Sequence, residues 1–407
     1  MRRSSLLVGA LMLAGVGSLH AQALTMQMSN GWVFSFSGNV NVFAMYQSQG
    51  KDGTAGAEDP TGTVLTGAGG KGFYLGTGLL PAFATFAATG KEGNTDLGVH
   101  FGFAPEVQCG SNSGGGIHDC FGAQIDMRQV FLTAGGKWGQ ILMGKELALF
   151  SRGNILNDQT LFGVGGGGIQ PGGTTLGRIG YGYLYANFVG QITYSTVAGK
   201  PAQFSIGLFD PSGNGQYTQT QLPRVEAEFT WKQGGINFFV NGTVQNGKDI
   251  SVGNPTSGKS KTATGVGGGI KWAGSQFNLS GTGYYGKGIG TTLQFTGNGV
   301  GTDGELRTSY GYVFQGGWAN AKTNIEASYG TSALKADAAE SAGAGKPRIE
   351  NSMVTVGIYH QLTKSLKGVV EGNYMFSDIK GTDAGVLPPD YKKNTAFTGA
   401  VGAMLFY

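Results

Sequence analysis

The chain has 407 residues, of which 77 are glycine, 40% are hydrophobic and only 13% are charged, with a formal net charge of +4. That small charge gives no argument for a nucleic-acid partner, and no stretch approaches the roughly 20 apolar residues of a transmembrane helix. The glycines sit inside alternating segments without a repeat, which excludes collagen-like and linker compositions and, with the many Phe, Tyr, Val and Thr residues, points to an all-β chain.

The N-terminus reads as a secretory signal peptide over residues 1–23. Met1-Arg2-Arg3 is basic, Leu6 to Val16 is apolar but too short to span a bilayer, and Ala21-Gln22-Ala23 is an Ala-x-Ala cleavage pattern. Cleavage after Ala23 is preferred, with Ala21 the near alternative; an uncleaved anchor is the bland reading. Residues 24–407 then form one domain, nearly neutral once Arg2 and Arg3 are gone.

From Val33 to Tyr46 apolar and polar residues alternate, with Phe34, Phe36, Val40, Val42 and Tyr46 on one face and Ser35, Ser37, Asn39 and Asn41 on the other. A loop runs from Ser48 to about Gly72, followed by two strands around a tight turn near Gly90 to Asn94. Cys109 and Cys120 follow in a Gly/Ser-rich segment. In an exported chain they would close a small disulfide loop; two free thiols, or half a metal site with His118, are the alternatives. Strands are expected near Gln124–Ala134 and Trp138–Lys145, then a segment without alternation from Glu146 to about Gly177. The rhythm resumes at Asn187–Thr196 and continues through Gln203–Phe209, Arg224–Trp231, Ile236–Gln245, Thr262–Trp272, Phe277–Lys287, Ser309–Trp318, Thr323–Thr331, Asn351–Gln361, Leu366–Phe376 and a final strand, Asn394–Tyr407.

That is roughly sixteen strands, joined alternately by short turns such as Lys232–Gly235 and Ala273–Ser275 and by long polar loops such as Asn246–Lys261 and Gly288–Thr308. This order suits an up-and-down transmembrane barrel and not a soluble sandwich. The final strand supports it. Nothing follows Tyr407 to cover an apolar edge, and only a closed barrel has no edge. The apolar faces would meet lipid, and polar faces such as Arg224, Glu226 and Glu228 would line a wet lumen. Phe406 falls on the lumen side by strict alternation, or packs against the other end of the chain near Gly31-Trp32.

Two phosphate-binding patterns are accidental. Gly253 to Ser260 matches G-x-x-x-x-G-K-[ST], but a strand-forming stretch follows it where the motif needs a helix. Gly281 to Gly286 matches G-x-G-x-x-G inside an alternating strand. Catalysis has little support: only His100, His118 and His360 lie beyond the leader, and there is no G-x-S-x-G elbow. No cofactor is implied.

The non-alternating segment, 146–177, is too long for an idle connection. Folded into the lumen, it would narrow a pore with Glu146, Arg152 and Asp158, facing walls that offer Asp126, Arg128, Lys145, Arg178, Arg224 and Lys271. Opposed acidic and basic rings set ion preference. Strict alternation puts Lys145 with Ile141 and Met143, so a bulge or the strand's end would have to turn it inward.

The chain resembles the trimeric Gram-negative porins of the general-diffusion type, in their β-proteobacterial form. The resemblance rests on SFSGNVNVF (35–43), GTGLLPAFATF (76–86), DLGVHFGFAP (96–105), DMRQVFLTAGGKWGQILMGKELALF (126–150), GNILND (153–158), LGRIGYGYLYA (176–186), GYYGKGIGTT (283–292), TVGIYHQLTKSLKGVVEGNY (355–374) and the C-terminus. It implies a 16-stranded antiparallel barrel in the outer membrane, a homotrimer in contact with lipid and lipopolysaccharide, and a loop 3 folded inward as the constriction. It also implies Lys145 and Asp158 on the two sides of the eyelet, and Tyr407 as an assembly signal for the insertion machinery. The expected function is passive diffusion of ions and small hydrophilic solutes. A substrate-selective channel, a barrel hydrolase using His100 and a non-conducting adhesin are the rivals.

Overall fold

The structure is a computed structural model that describes residues 23–50, 70–105, 107, 125–166, 174–295, 298–301, 303–337, 345–382 and 393–407. Its strands are β1 (Leu24–Gln27), β2 (Val33–Gln49), β3 (Gly70–Gly76), β4 (Phe83–Glu92), β5 (Thr95–Pro105), β6 (Ile125–Gly136), β7 (Gly139–Leu147), β8 (Phe188–Ser195), β9 (Ala202–Phe209), β10 (Arg224–Gln233), β11 (Ile236–Lys248), β12 (Ser260–Ala273), β13 (Phe277–Lys287), β14 (Thr308–Ala319), β15 (Thr323–Lys335), β16 (Gly345–Gln361), β17 (Leu366–Thr382) and β18 (Asn394–Phe406). Each pairs antiparallel with its neighbours, and β18 returns to β2 with Phe406 opposite Asn39 and Ala396 opposite Gln49. The sheet is therefore a closed barrel of sixteen staves.

Eighteen strands make sixteen staves because two staves are composite. β3 pairs with the second half of β2 and β4 with the first, so together they form one stave broken at 77–82. The N-terminal β1 pairs with β2 just beyond the point where β18 ends, with Leu24 opposite Phe36, while Tyr407 exchanges backbone hydrogen bonds with Gly38. The two ends of the chain thus share one stave, and neither composite was expected from the alternation. β16 and β17 also run longer than expected, to Gly345 and Thr382, so the loops beside them are shorter.

The alternation is obeyed in the wall. In β16, Val354, Val356 and Ile358 are exposed on the outer face, while Met353, Thr355 and Tyr359 are buried inside. In β18, Phe397, Val401 and Leu405 point out and Thr398, Ala400, Met404 and Phe406 point in. Phe406 does not pack on Gly31-Trp32. Its ring meets Phe162 edge-on, 6.3 Å between centroids, inside the barrel.

The strand ends that lead into the longer connections lie at one end of the barrel, and we number these connections L1 to L8 in chain order. L3 joins β7 to β8 over 148–187, and L6 joins β13 to β14 over 288–307. L3 begins later and ends later than the expected 146–177, because β7 keeps pairing with β8 through Glu146 and Leu147. L3 lies inside the barrel. Leu149, Phe150, Ile155, Leu161, Phe162 and Val164 are buried, in one apolar cluster for all but Leu149, against inward residues of the wall such as Phe43, Val369 and Met404.

A lipid-facing position must remain apolar. Val356→Arg is expected to cost about 2–4 kcal/mol of folding stability in vesicles, because an arginine at bilayer depth on the outer face loses its water. The neighbouring inward Thr355→Ser, which keeps the hydroxyl bonded to Asn373 at 2.7 Å, is expected to fold like the parent. Equilibrium refolding into lipid vesicles with urea separates the two.

Candidate functional site

The site is built where L3 leaves the wall and crosses to the other side. Gly144 makes the exit possible. Its φ is +133°, and a Cβ there would stand 2.2 Å from the Val130 carbonyl oxygen, so no side chain fits. On the adjoining strand, Gly102 pairs with Gln129 and Phe103 with Met127, which leaves Arg128 as an extra, bulged residue. The bulge reverses the parity of β6. Below it Phe131 and Thr133 face inward; above it Met127 and Ile125 face out, and Asp126 and Arg128 share the other side.

The first basic group gathers there. Arg128 Nε lies 2.8 Å from Asp126 Oδ2, and its guanidinium stacks 5.9 Å from the centre of the Phe188 ring. Lys145 donates from Nζ to the Met127 carbonyl oxygen at 2.8 Å. The three side chains line a cavity of about 240 Å³ with Tyr185, Asn187 and Phe188. Lys145 is thus turned toward the end of β6, in the gap opened by the departure of L3.

L3 itself is held by acceptors on the inner wall. Glu226 of β10 accepts from the Phe150 N–H at 2.8 Å, and Glu228 accepts from the Arg152 guanidinium. Gln315 of β14 accepts from the Gln159 N–H at 2.7 Å and donates to the Asn157 carbonyl at 3.2 Å. Glu371 of β17 accepts from the N–H groups of Val164 and Gly165 at 3.1 and 2.6 Å, and its other oxygen accepts from Tyr359 at 2.9 Å. Gly163 lets the loop come this close, since a Cβ there would stand 1.9 Å from Glu371 Oε2. Glu226 and Glu228, expected to line open water, are bonded to the loop instead.

Asp158 organises the loop from within. It caps the short 3₁₀ turn Gln159–Phe162, accepting from the Thr160 N–H at 2.9 Å and the Thr160 hydroxyl at 2.6 Å. The Tyr183 hydroxyl donates at 2.6 Å to Oδ2, the oxygen that also takes the Thr160 hydroxyl, and Arg178 Nε lies 3.9 Å from Oδ1. Arg178, fully buried, donates to the backbone oxygens of Met353 and Ser328 at 3.0 and 2.9 Å. Burial pulls the Arg178 guanidinium below its ordinary range, and Asp158 beside it acts in the opposite sense. Burial, and then the charge of Asp158, push the Tyr183 hydroxyl well up, so it stays a donor.

The remaining residues expected at the constriction are spread over the inner wall. Arg224 is buried at the long-loop end of β10, with its Nε 3.1 Å from Glu226. Lys271 stands one inward position nearer the short turns than Gly269 on β12. Cys109 and Cys120 lie outside the described residues. The structure brings Arg128 and Lys145 together, and Arg152 with Arg224 along the Glu226–Glu228 row, but it buries Asp158 in a separate cluster. The anchors Gln315 and Glu371 were missed. Their only signal was a polar residue at an inward position, which many residues share.

A closed β-barrel with an apolar outside, a polar inner wall and a loop crossing its interior is a channel of the outer-membrane kind. The family model for Gram-negative porins matches residues 8–381, and the chain belongs to that family. It is an outer-membrane channel for the passive diffusion of small solutes. Among solved structures it is similar to the outer membrane channel DcaP of Acinetobacter baumannii, with 16% identity, a TM-score of 0.66, and 94% of this chain and 99% of that one covered. It is also similar to the anion-selective porin from Comamonas acidovorans, with 14% identity, a TM-score of 0.61 and coverage of 92% and 100%. OmpT of Vibrio cholerae in its trimer form is 16% identical, with a TM-score of 0.54 and coverage of 92% and 99%. No curated protein sequence matches the chain.

Glu371→Ala is expected to free the far end of L3. Each buried N–H left without an acceptor costs about 1–3 kcal/mol. The result should be a lower unfolding temperature and new cleavage in L3 on limited proteolysis, with the barrel core uncut.

Proposed function

We propose that the channel passes ions and small hydrophilic solutes down their gradients without binding any one of them, and that L3 is its constriction. The observation that carries this reading is the anchoring of L3 at opposite parts of the wall, on Glu226 and Glu228 at one end and on Glu371 at the other. A loop held at both ends across a barrel is a fixed aperture, and a fixed aperture sorts solutes by size. Arg128, Lys145 and Arg152 supply the basic side of the path, with Lys271 on the inner wall, while Arg224 and Asp158 are buried and contribute through the shape they give the loops. No energy source or cofactor enters this mechanism, and no reaction chemistry is assigned to His100, whose ring stacks on Phe131 at 4.6 Å.

The working unit in this reading is a homotrimer in the outer membrane, its apolar outer faces meeting lipid, lipopolysaccharide and neighbouring subunits. The trimer form of the Vibrio OmpT barrel supports that assembly. In this reading residues 1–23 are the leader and Tyr407 presents the C-terminal assembly signal.

Planar-bilayer recording tests the reading. The protein should show ohmic conductance that does not saturate with any single solute. A protein that inserts without conducting, or a conductance that saturates with one solute, would overturn it. Lys145→Gln should shift the reversal potential toward cations in a salt gradient, and an unchanged potential would remove Lys145 from the ion path. Asp158→Asn should act more on loop stability than on reversal potential, because its carboxylate is buried among its own partners.

A further inference from the structure

L6 does not stay outside the wall, as its length and polarity suggested. Ile289 and Phe295 are 0% and 1% exposed. Ile289 lies on the inner face of β12 and β13, where its Cδ1 stands 3.0 and 2.5 Å from the places a Cβ would take on Gly265 and Gly286. The Phe150 ring of L3 reaches the same spot over Gly265, at 2.9 Å. Farther along, the Tyr185 N–H of L3 donates to the Thr292 carbonyl at 2.8 Å. The first part of L6, residues 289–295, therefore crosses from the β13 side of the barrel to the end of L3 beside β8, resting on L3 as it goes.

Phe295 closes this stretch. The ring lies 5.7 Å from the Arg224 guanidinium, which also lies 5.6 Å from the Phe209 ring. Arg224 Nε lies 3.1 Å from Glu226 as an ion pair, and none of Nε, Nη1 and Nη2 has a hydrogen-bond partner among the described residues. A buried guanidinium that leaves its fork unbonded and gives its faces to aromatic rings is engaged by cation–π attraction, which is strongest where water is excluded. Phe295 holds a φ of +57°, a conformation uncommon for a bulky side chain that persists only where its surroundings impose it. The backbone of L6 is bent into that shape while its ring stays on the arginine.

We propose that L6 is a second barrier in the solute path, laid across the long-loop side of L3, and that the contact of Phe295 with Arg224 is the latch that holds it there. Solute size is then sorted twice, at L6 and at L3, and Phe295 is a specificity-determining residue of the channel. The latch is also economical in position: Arg224 pairs with Glu226, and Glu226 holds the first residues of L3. One row of β10 thereby fixes both loops.

The test uses the whole protein in planar bilayers and in liposomes. Replacing Thr291–Phe295 by a Gly-Ser segment of equal length should raise the single-channel conductance by about twofold or more, since resistance falls as a constriction is removed. It should also speed liposome swelling more for a trisaccharide than for a monosaccharide. Phe295→Ala should move both readings in the same direction with L3 and the chain length intact, and Phe295→Tyr, which keeps the ring, should restore the parent values. If the Gly-Ser variant does not assemble, Phe295→Ala decides. Folded variants, shown by heat-modifiable migration, with the parent's conductance and the parent's sugar ranking would overturn the proposal. An Arg224→Lys variant, which keeps the charge but loses the planar face, should lie between the parent and Phe295→Ala; parental behaviour there would overturn the latch.

Discussion

Everything in this molecule depends on the pairing of β18 with β2. In lipid there is no water to satisfy a free N–H or carbonyl, so a sheet in the membrane can have no edge. The register from Phe406–Asn39 to Ala396–Gln49 removes the last two edges at once. The short β1 then continues that stave past Tyr407, so the wall stays hydrogen-bonded where the chain itself has run out. The alternation of every other strand acquires its meaning from this closure. Once there is an inside and an outside, a two-residue period becomes a lipid face and a lumen face.

The lumen of such a barrel is wide, and here it is occupied by the protein's own loops. Buried acids on the inner wall have a specific use: they accept hydrogen bonds from backbone N–H groups of L3, which would otherwise be stranded among Phe162, Val164 and the apolar wall. A charged acceptor makes a stronger bond to an N–H than a neutral one does. Glu226 and Glu371 are therefore better anchors than glutamines would be, and their placement nearly half a barrel apart is what turns a long loop into a crossing strap.

Inward glycines supply the complementary half of the design. At Gly163 and Gly265 a Cβ would fall on the Glu371 carboxylate or on the Phe150 ring. The abundance of glycine in the composition thus has a local reason at each of these points: the loops lie directly on the wall, and only a residue without a side chain lets them do so.

The class, the two faces, the closing strand and the outer-membrane location were legible in the residues, because they follow from a period-two pattern repeated many times, and single errors average out. Boundaries such as Gly345 of β16, and the split of one stave into β3 and β4, were not legible. The parity of Arg128 and Asp126 was hidden by one bulged residue, which the pattern of β6 does not announce. Asp158 was found as an acid on the right loop, but its partners Tyr183 and Arg178 follow twenty or more residues later and meet it only in the fold. Gln315 and Glu371 join L3 across more than 150 residues of sequence. By itself the sequence determined that the chain closes into a barrel, since alternation repeated over some sixteen segments leaves no other way to satisfy the backbone in lipid. Only the tertiary structure decided that L6 turns inward as well and where each loop is fastened, because those points are acceptors and rings brought together from distant staves: Glu371 for L3, and Arg224 for Phe295 of L6.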